Sequence, residues 1–329
     1  MEPGSLSELV VTRHNHLIDP VMHVWAWQIP IYLFLGGWVA GMMVLTGWLL
    51  KRRVDRGEAI HASACSWMPW LGLVLLSLGM FALFLDLEHK PYVWRLYTTF
   101  EPRSPMSWGS WILVVVYPAL IVAGLVAPPR WIVRLVPAVS KVSAWLTGSR
   151  RLVSAVIVAN VGLGIALGIY TGILLSALGA RPLWNSALLG PLFLLSGLSS
   201  AAAFVHLMAR DRVERELLAR ADNGFLAAEI AVIALYFVGI TQAAGVHREA
   251  ANLLLSGPYA AVFWVVVVFL GLVVPLVVQS LAVSHRIAHT PVAPLLVLAG
   301  GLALRFVMVY AGQESRWARW LLDTVRFLG

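Results

Sequence analysis

The sequence is short of charge. Asp, Glu, Lys and Arg make up only 12% of its 329 residues, against 60% hydrophobic residues. A domain that folds in water carries about a quarter charged residues, so this protein cannot cover itself with an ordinary water-facing surface. It has one cysteine, Cys65, which excludes an internal disulfide, a CxxC pair and a cysteine-held iron–sulfur cluster. Acids are scarcer than bases, 16 against 24. The net charge of +8 fits basic loops at an anionic membrane surface, and nucleic acid is not expected as a partner. No repeat of fixed period is visible. The first two dozen residues include Glu2, Glu8, Arg13, His14, His16 and Asp19. They are too polar for the apolar core of a signal peptide, so the amino terminus is expected to be retained.

What the sequence has in quantity is apolar runs long enough to cross a bilayer, each needing about 20 residues. Eight segments qualify: Ile29–Leu50, Ser66–Leu85, Ser107–Val126, Leu152–Leu178, Leu183–Met208, Gly224–Val246, Tyr259–Leu281 and Pro291–Ala311. The loops after the first, third, fifth and seventh segments hold four, five, four and one Lys or Arg, fourteen in all, and the other side holds nine. Basic residues favour the cytoplasm, which puts both termini on the non-cytoplasmic, periplasmic side. The reading is an all-α integral membrane protein of eight transmembrane helices in two four-helix bundles. Residues 1–28 form a periplasmic segment, 29–180 the first bundle, and 181–329 the second bundle with a periplasmic tail. Between the third and fourth segments, Trp131, Ile132, Leu135, Val136, Val139 and Val142 recur at helical spacing beside Arg134 and Lys141. That pattern predicts one amphipathic helix lying on the cytoplasmic leaflet.

Polar residues gather towards the outer side: His14, Asn15, His16, His23 and Gln28, then Asp86, Glu88, His89 and Lys90, then Tyr170-Thr171-Gly172, and Arg305 followed by Gly312-Gln313. An ionisable group inside a span costs about 2.5 to 3.5 kcal/mol on insertion scales and calls for a partner or a function. Arg305 and Asp86 fall at similar predicted depths, so the two can pair, relay protons, or both. Glu229, His206 and Tyr236 sit on the fifth and sixth segments, and a polar proton inlet from the cytoplasm is one reading of them; buried hydrogen bonds are the other. Gly37 and Gly41 in the first segment, and Gly164 and Gly168 in the fourth, have the spacing that lets helices approach closely.

Several stretches together resemble one family. Ile29-Pro30-Ile31-Tyr32-Leu33-Phe34-Leu35-Gly36-Gly37 is similar to the opening of the first helix in the NrfD family, which includes the membrane subunit of polysulfide reductase. Asp86-Leu87-Glu88 with Ser104-Pro105-Met106-Ser107-Trp108-Gly109 resembles its loop after the second helix. Tyr170-Thr171-Gly172, Arg181-Pro182-Leu183-Trp184-Asn185, Ser196-Gly197-Leu198, Arg305 and Gly312-Gln313 also resemble family positions, in order along most of the sequence.

The resemblance implies a subunit of the bacterial inner membrane that exchanges electrons and protons between the quinone pool, menaquinone or ubiquinone, and a periplasmic ferredoxin-like iron–sulfur subunit. A molybdenum or tungsten bis-pterin catalytic subunit would complete the complex. It places a quinone site in the first bundle, with His23, Trp27, Tyr32, Trp108 and Tyr170 as quinone-binding residues. Asp86, Glu88, Arg305, Glu229, His206 and Tyr236 are the expected proton-transfer residues. No metal site, haem or iron–sulfur cluster is expected in this chain. A di-haem anchor would need paired axial histidines across spans, and only His206 lies well inside one. A secondary transporter would place polar groups and broken helices near the midplane, where these segments are mostly apolar. A passive anchor would show no dependence on quinone.

Overall fold

The computed structural model describes residues 25–57, 64–209, 212–243, 245–288 and 290–315. His23 lies outside them. Among the described residues there are helices and turns and no strand. Eight helices are long and apolar enough to cross a membrane, and the protein is an all-α multi-pass membrane protein. The spans are Gln28–Arg56, Met68–Asp86, Pro105–Val126, Arg150–Ser176, Leu189–Met208, Arg212–Gln242, Val262–Val283 and Val292–Glu314. Proline begins several of them, Pro69 and Pro105 each standing in a first turn, where the missing N–H would have had no helical partner. The first span closes at Gly57, whose left-handed φ of 67° lets its N–H reach the carbonyls of Arg53 and Val54.

Several boundaries differ from those expected, for physical reasons. The fifth span starts at Leu189, not Leu183. Pro182, Leu183 and Trp184 are apolar because they form a short buried turn, not because they cross lipid. The sixth helix begins at Arg212, well before the expected Gly224. Its first turns are polar, so hydropathy misses them although Arg, Glu, Leu and Ala favour helix. The single amphipathic helix is two, Arg130–Leu135 and Ala138–Thr147. Pro137 separates them, disfavouring helical geometry at Val136 and lacking an N–H of its own. An eleven-residue helix, Gly245–Leu255, follows the sixth span and had no counterpart in the hydropathy; it buries Val246, Ala250, Ala251 and Leu254.

The first span is the hub. It packs on the second, fourth, fifth and eighth spans, and glycine makes the approach possible. A Cβ on Gly41 would fall on the Gly197 carbonyl, and one on Gly197 would fall on the Gly37 carbonyl. Gly164 meets the Ala40 carbonyl in the same way, and Gly172 meets the Leu189–Gly190 backbone. The Gly-x-x-x-Gly pairs are therefore contact surfaces between backbones, as expected. Asn160 also bridges helices, its side-chain amide donating to the Met43 carbonyl at 3.0 Å. Outward, Phe81, Val158, Val238 and Phe269 are exposed apolar residues on spans, the surface that lipid covers.

The seventh span runs as a π-helix over Val262–Val273. It meets the eighth span where Gly271 and Gly300 touch backbone to backbone.

Replacing Gly41 by leucine puts a side chain into the Gly197 backbone, which cannot move aside as a side-chain end could. We expect a loss of about 3 kcal/mol, at the upper end for overpacking, seen as a lowered melting temperature of the detergent-solubilised protein. Gly162→Leu, with open space around its Cβ, should melt like the wild type.

Candidate functional site

Two polar groupings stand out in the bundle. The first lies at the end of spans one to four away from the basic loops. Tyr32 on the first span and Tyr170 on the fourth are both buried, and they lie close enough to influence each other electrostatically, with Tyr97 as a third member. Tyr170 fits against Gly109 so closely that a Cβ there would overlap its ring. Gly109 in the Ser107-Trp108-Gly109 segment is thus a cradle for Tyr170. Tyr97 comes from a short helix, Arg95–Thr98, in the loop after the second span. Burial, then Tyr117 beside it, raises its phenol above the ordinary tyrosine range, so it remains protonated at neutral pH. Ser77 and Tyr117 continue the group, their hydroxyls 3.3 Å apart.

Trp27 and Trp108 are exposed at this end. The Trp108 indole donates to the Pro102 carbonyl at 2.7 Å. Asp86 is the last residue of the second span, and Glu88 is exposed just beyond it. Glu88, His89, Thr99 and Ser107 contribute to a loop cavity of about 500 Å³.

The second grouping is buried in the later spans. Asp222 and Glu229 lie about two turns apart on one helix face, roughly 10 Å along the axis. Asp222 accepts from Ser199 at 2.6 Å and from the Gln279 amide at 2.7 Å. Glu229 is hydrogen-bonded to Ser196, and the opposite charge it faces is Arg305. Arg305 is 1% exposed; its Nη2 donates to the Phe193 carbonyl at 2.9 Å, and its guanidinium lies 4.3 Å from the centre of the Phe193 ring. A Cβ on Gly37 would come within 3.1 Å of that same Nη2, so Arg305 stands where the first span meets the fifth and sixth.

This arrangement differs from two expectations. Arg305 faces Glu229 and not Asp86: the eighth helix runs on to Glu314, leaving Arg305 roughly 13 Å below its end, whereas Asp86 sits at the end of its own helix. Glu229, His206 and Tyr236 do not gather either. The longer sixth helix puts Glu229 near its middle, level with Ser196 on the antiparallel fifth span. His206 lies roughly 15 Å further along that span, near its basic-loop end. Tyr236 is two turns from Glu229 in the opposite direction and donates to the Leu183 carbonyl at 2.5 Å. Asp222, Gln279 and Ser199 were missed by sequence reasoning, and Ser196 appeared there only within a family stretch, not as the partner of Glu229. Hydropathy shows only Asp222 as a lone charge near a helix start, and nothing in sequence shows that Gln279 faces it.

A lock joins the two groupings at the tyrosine end. Gln313 binds the backbone of Trp25 twice, accepting its N–H at 3.0 Å and donating to its carbonyl at 2.9 Å. Trp184 stacks on Trp25 with ring centres 5.4 Å apart, donates to the Met308 carbonyl at 2.8 Å, and fills the space that Gly312 leaves open. Arg181 donates to the carbonyls of Gln313 and Ser315 at 2.8 and 3.1 Å. Among the described residues, no three His, Cys, Asp or Glu side chains converge as a metal site.

Removing one member of a buried charge pair leaves the other uncompensated, typically at a cost of 3–5 kcal/mol. We expect Arg305→Gln to lower stability by about 3 kcal/mol, and Arg305→Gln with Glu229→Gln to cost less than the sum of the single changes. Thermal unfolding of the four proteins measures that coupling; additive losses would mean that the two groups do not interact.

Residues 11–315 match the family described as "Polysulphide reductase, NrfD". The sequence is 32% identical over 308 residues to "Protein NrfD" of Escherichia coli, covering 88% of this protein and 95% of that one. It is 30% identical over 309 residues to "Protein NrfD homolog" of Haemophilus influenzae, covering 88% and 94%. It is 28% identical over 320 residues to the C subunit of polysulfide reductase from Wolinella succinogenes, with coverage again of 88% and 94%. The tyrosine cradle, the buried arginine and the Trp184–Gln313 lock are therefore features of a membrane subunit belonging to the NrfD, or polysulphide reductase, family.

Proposed function

We propose that this protein is the quinone-reactive membrane subunit of a respiratory oxidoreductase complex in a bacterial inner membrane, with the tyrosine end facing the periplasm. The observation that carries the reading is the gathering of Tyr32, Tyr170 and Tyr97 at one end of the first four spans. A quinone bound there would supply a carrier of two electrons and two protons that exchanges with the membrane pool.

The residues present suit such a group. Phenols can both donate and accept hydrogen bonds, and as neutral groups they avoid the cost of a charge at membrane depth. Tyr32 and Tyr170 would hold the ring oxygens, with Trp27 and Trp108 closing the site from the water side. Tyr97, kept protonated, remains a donor at the rim. Asp86 and Glu88 lie beside the loop cavity and would exchange protons with the outer water. Menaquinone and ubiquinone share the carbonyl chemistry these residues recognise, so either fits.

The loop over this end exposes Tyr92, Trp94 and Phe100 among Lys90, Arg95 and Arg103. Aromatic and arginine side chains are favoured at protein interfaces. They support docking of a ferredoxin-like iron–sulfur subunit here, with a molybdenum or tungsten enzyme beyond it. Relatives named as subunits of a polysulfide reductase and a tetrathionate reductase fit such an assembly.

Proton translocation is a second part of the proposal, carried by the buried line of Asp222, Ser199, Ser196, Glu229 and Arg305. These carboxylates lie inside spans, and the line reaches the first span through Arg305, which stands beside Gly37.

In the intact complex, Tyr170→Phe and Tyr32→Phe should each lower quinol-linked turnover about tenfold or more, within the range of positioned proton donors, while the subunit still assembles. Unchanged turnover in both variants would reject the site and favour a passive anchor. Glu229→Gln should keep turnover and lose membrane-potential generation; coupling equal to wild type would remove translocation from the proposal.

A further inference from the structure

At the opposite end of the first spans from the tyrosines lies a cavity of about 1730 Å³, unused by either grouping. It opens where the second and fifth spans and the start of the sixth helix reach the basic-loop face, and the two amphipathic helices form its rim. Trp67, Trp70, Trp131 and Phe204 are on its wall, with Arg130 and Arg134 at the mouth.

Three features narrow the occupant. The volume exceeds the roughly 300–1,000 Å³ of sites for small molecules, which suits a ligand with long apolar chains. Both arginines are exposed and stand four residues apart on one short helix, so they project on the same side. The acid on the wall, Glu214, is buried and accepts the Ala64 N–H at 3.3 Å, leaving the mouth positive. Around that mouth Trp131 is 60% and Leu135 76% exposed, apolar area that the headgroup and upper acyl region of a bilayer would cover.

We propose that this cavity is a binding site for one anionic diacyl phospholipid, its phosphate held by Arg130 and Arg134 and its acyl chains laid against Trp67, Trp70, Trp131 and Phe204. The two arginines recognise charge, and the tryptophan-lined wall recognises the acyl tails, so neither a zwitterionic lipid nor a headgroup-free quinone satisfies both. A lipid held there fills the space between the amphipathic helices and the span ends, and ties both to the leaflet.

The test uses the full-length protein, delipidated in detergent, and native mass spectrometry with added phosphatidylglycerol or phosphatidylcholine of the same acyl composition. One phosphatidylglycerol should bind per protein molecule, at least tenfold tighter than phosphatidylcholine. Arg130→Gln with Arg134→Gln should weaken phosphatidylglycerol binding by about 30-fold, from roughly 1 kcal/mol for each basic residue at the surface. Ala144→Trp, which narrows the cavity and keeps both arginines, should weaken it as well. Equal binding of the two lipids would overturn the proposal. So would full binding by either variant, or displacement of the lipid by a short-chain quinone analogue with phosphatidylglycerol no better than phosphatidylcholine.

Discussion

A guanidinium held where three helices meet is the constraint from which the rest of this structure follows. Arg305 has almost no contact with solvent and lies inside a membrane span. Lipid offers it nothing, so the protein must supply both charge and hydrogen bonds. It does so with Glu229 from the sixth span and the Phe193 carbonyl from the fifth, with the Gly37 backbone alongside. A carbonyl in mid-helix is normally committed to its own ladder, so using it as an acceptor requires the helices to be close. The glycines at positions 37, 41 and 197 bring them close.

The same economy governs the end of the bundle that carries the tyrosines. Trp184 is large and fully buried, and its indole N–H must find a partner there; it finds the Met308 carbonyl, in a space open only because residue 312 has no side chain. Gln313 then holds the backbone that leads into the first span, two residues before Trp27. The eighth span thereby sets the position of the segment beside Tyr32, although the two are far apart in sequence. Family motifs that read as one signature divide into two physical roles. Gly109, Tyr32 and Tyr170 gather at one end of the first four spans. Arg181, Trp184, Gly312 and Gln313 fasten the segment that borders it.

The two faces of the molecule also divide their chemistry. On one, Tyr92 and the charged loop residues Glu88, Arg95 and Glu101 line a small cavity. On the other, arginines and tryptophans surround a much larger one. Between them runs a line of carboxylates and serines, buried and hydrogen-bonded.

Hydropathy alone determined that the protein has eight spans, because a run of about twenty apolar residues has few other uses and the charges were swept into the loops. Short motifs pointed to the family, because glycine and tryptophan at these places answer to close approaches between helices. The partner of Arg305 was decided only by tertiary structure. Depth along a helix depends on where the helix ends, and both the sixth and eighth helices extend through polar residues that hydropathy does not count. The same cause separated His206 and Tyr236 from Glu229. Asp222, Ser199 and Gln279 could be joined only in three dimensions, since a lone polar residue on a span has no sequence signal for the helix it faces. Pro137 was read through as part of one amphipathic helix, and the cavity beside the two helices it separates depends on how they fold back against the span ends, a property of packing that no single segment carries.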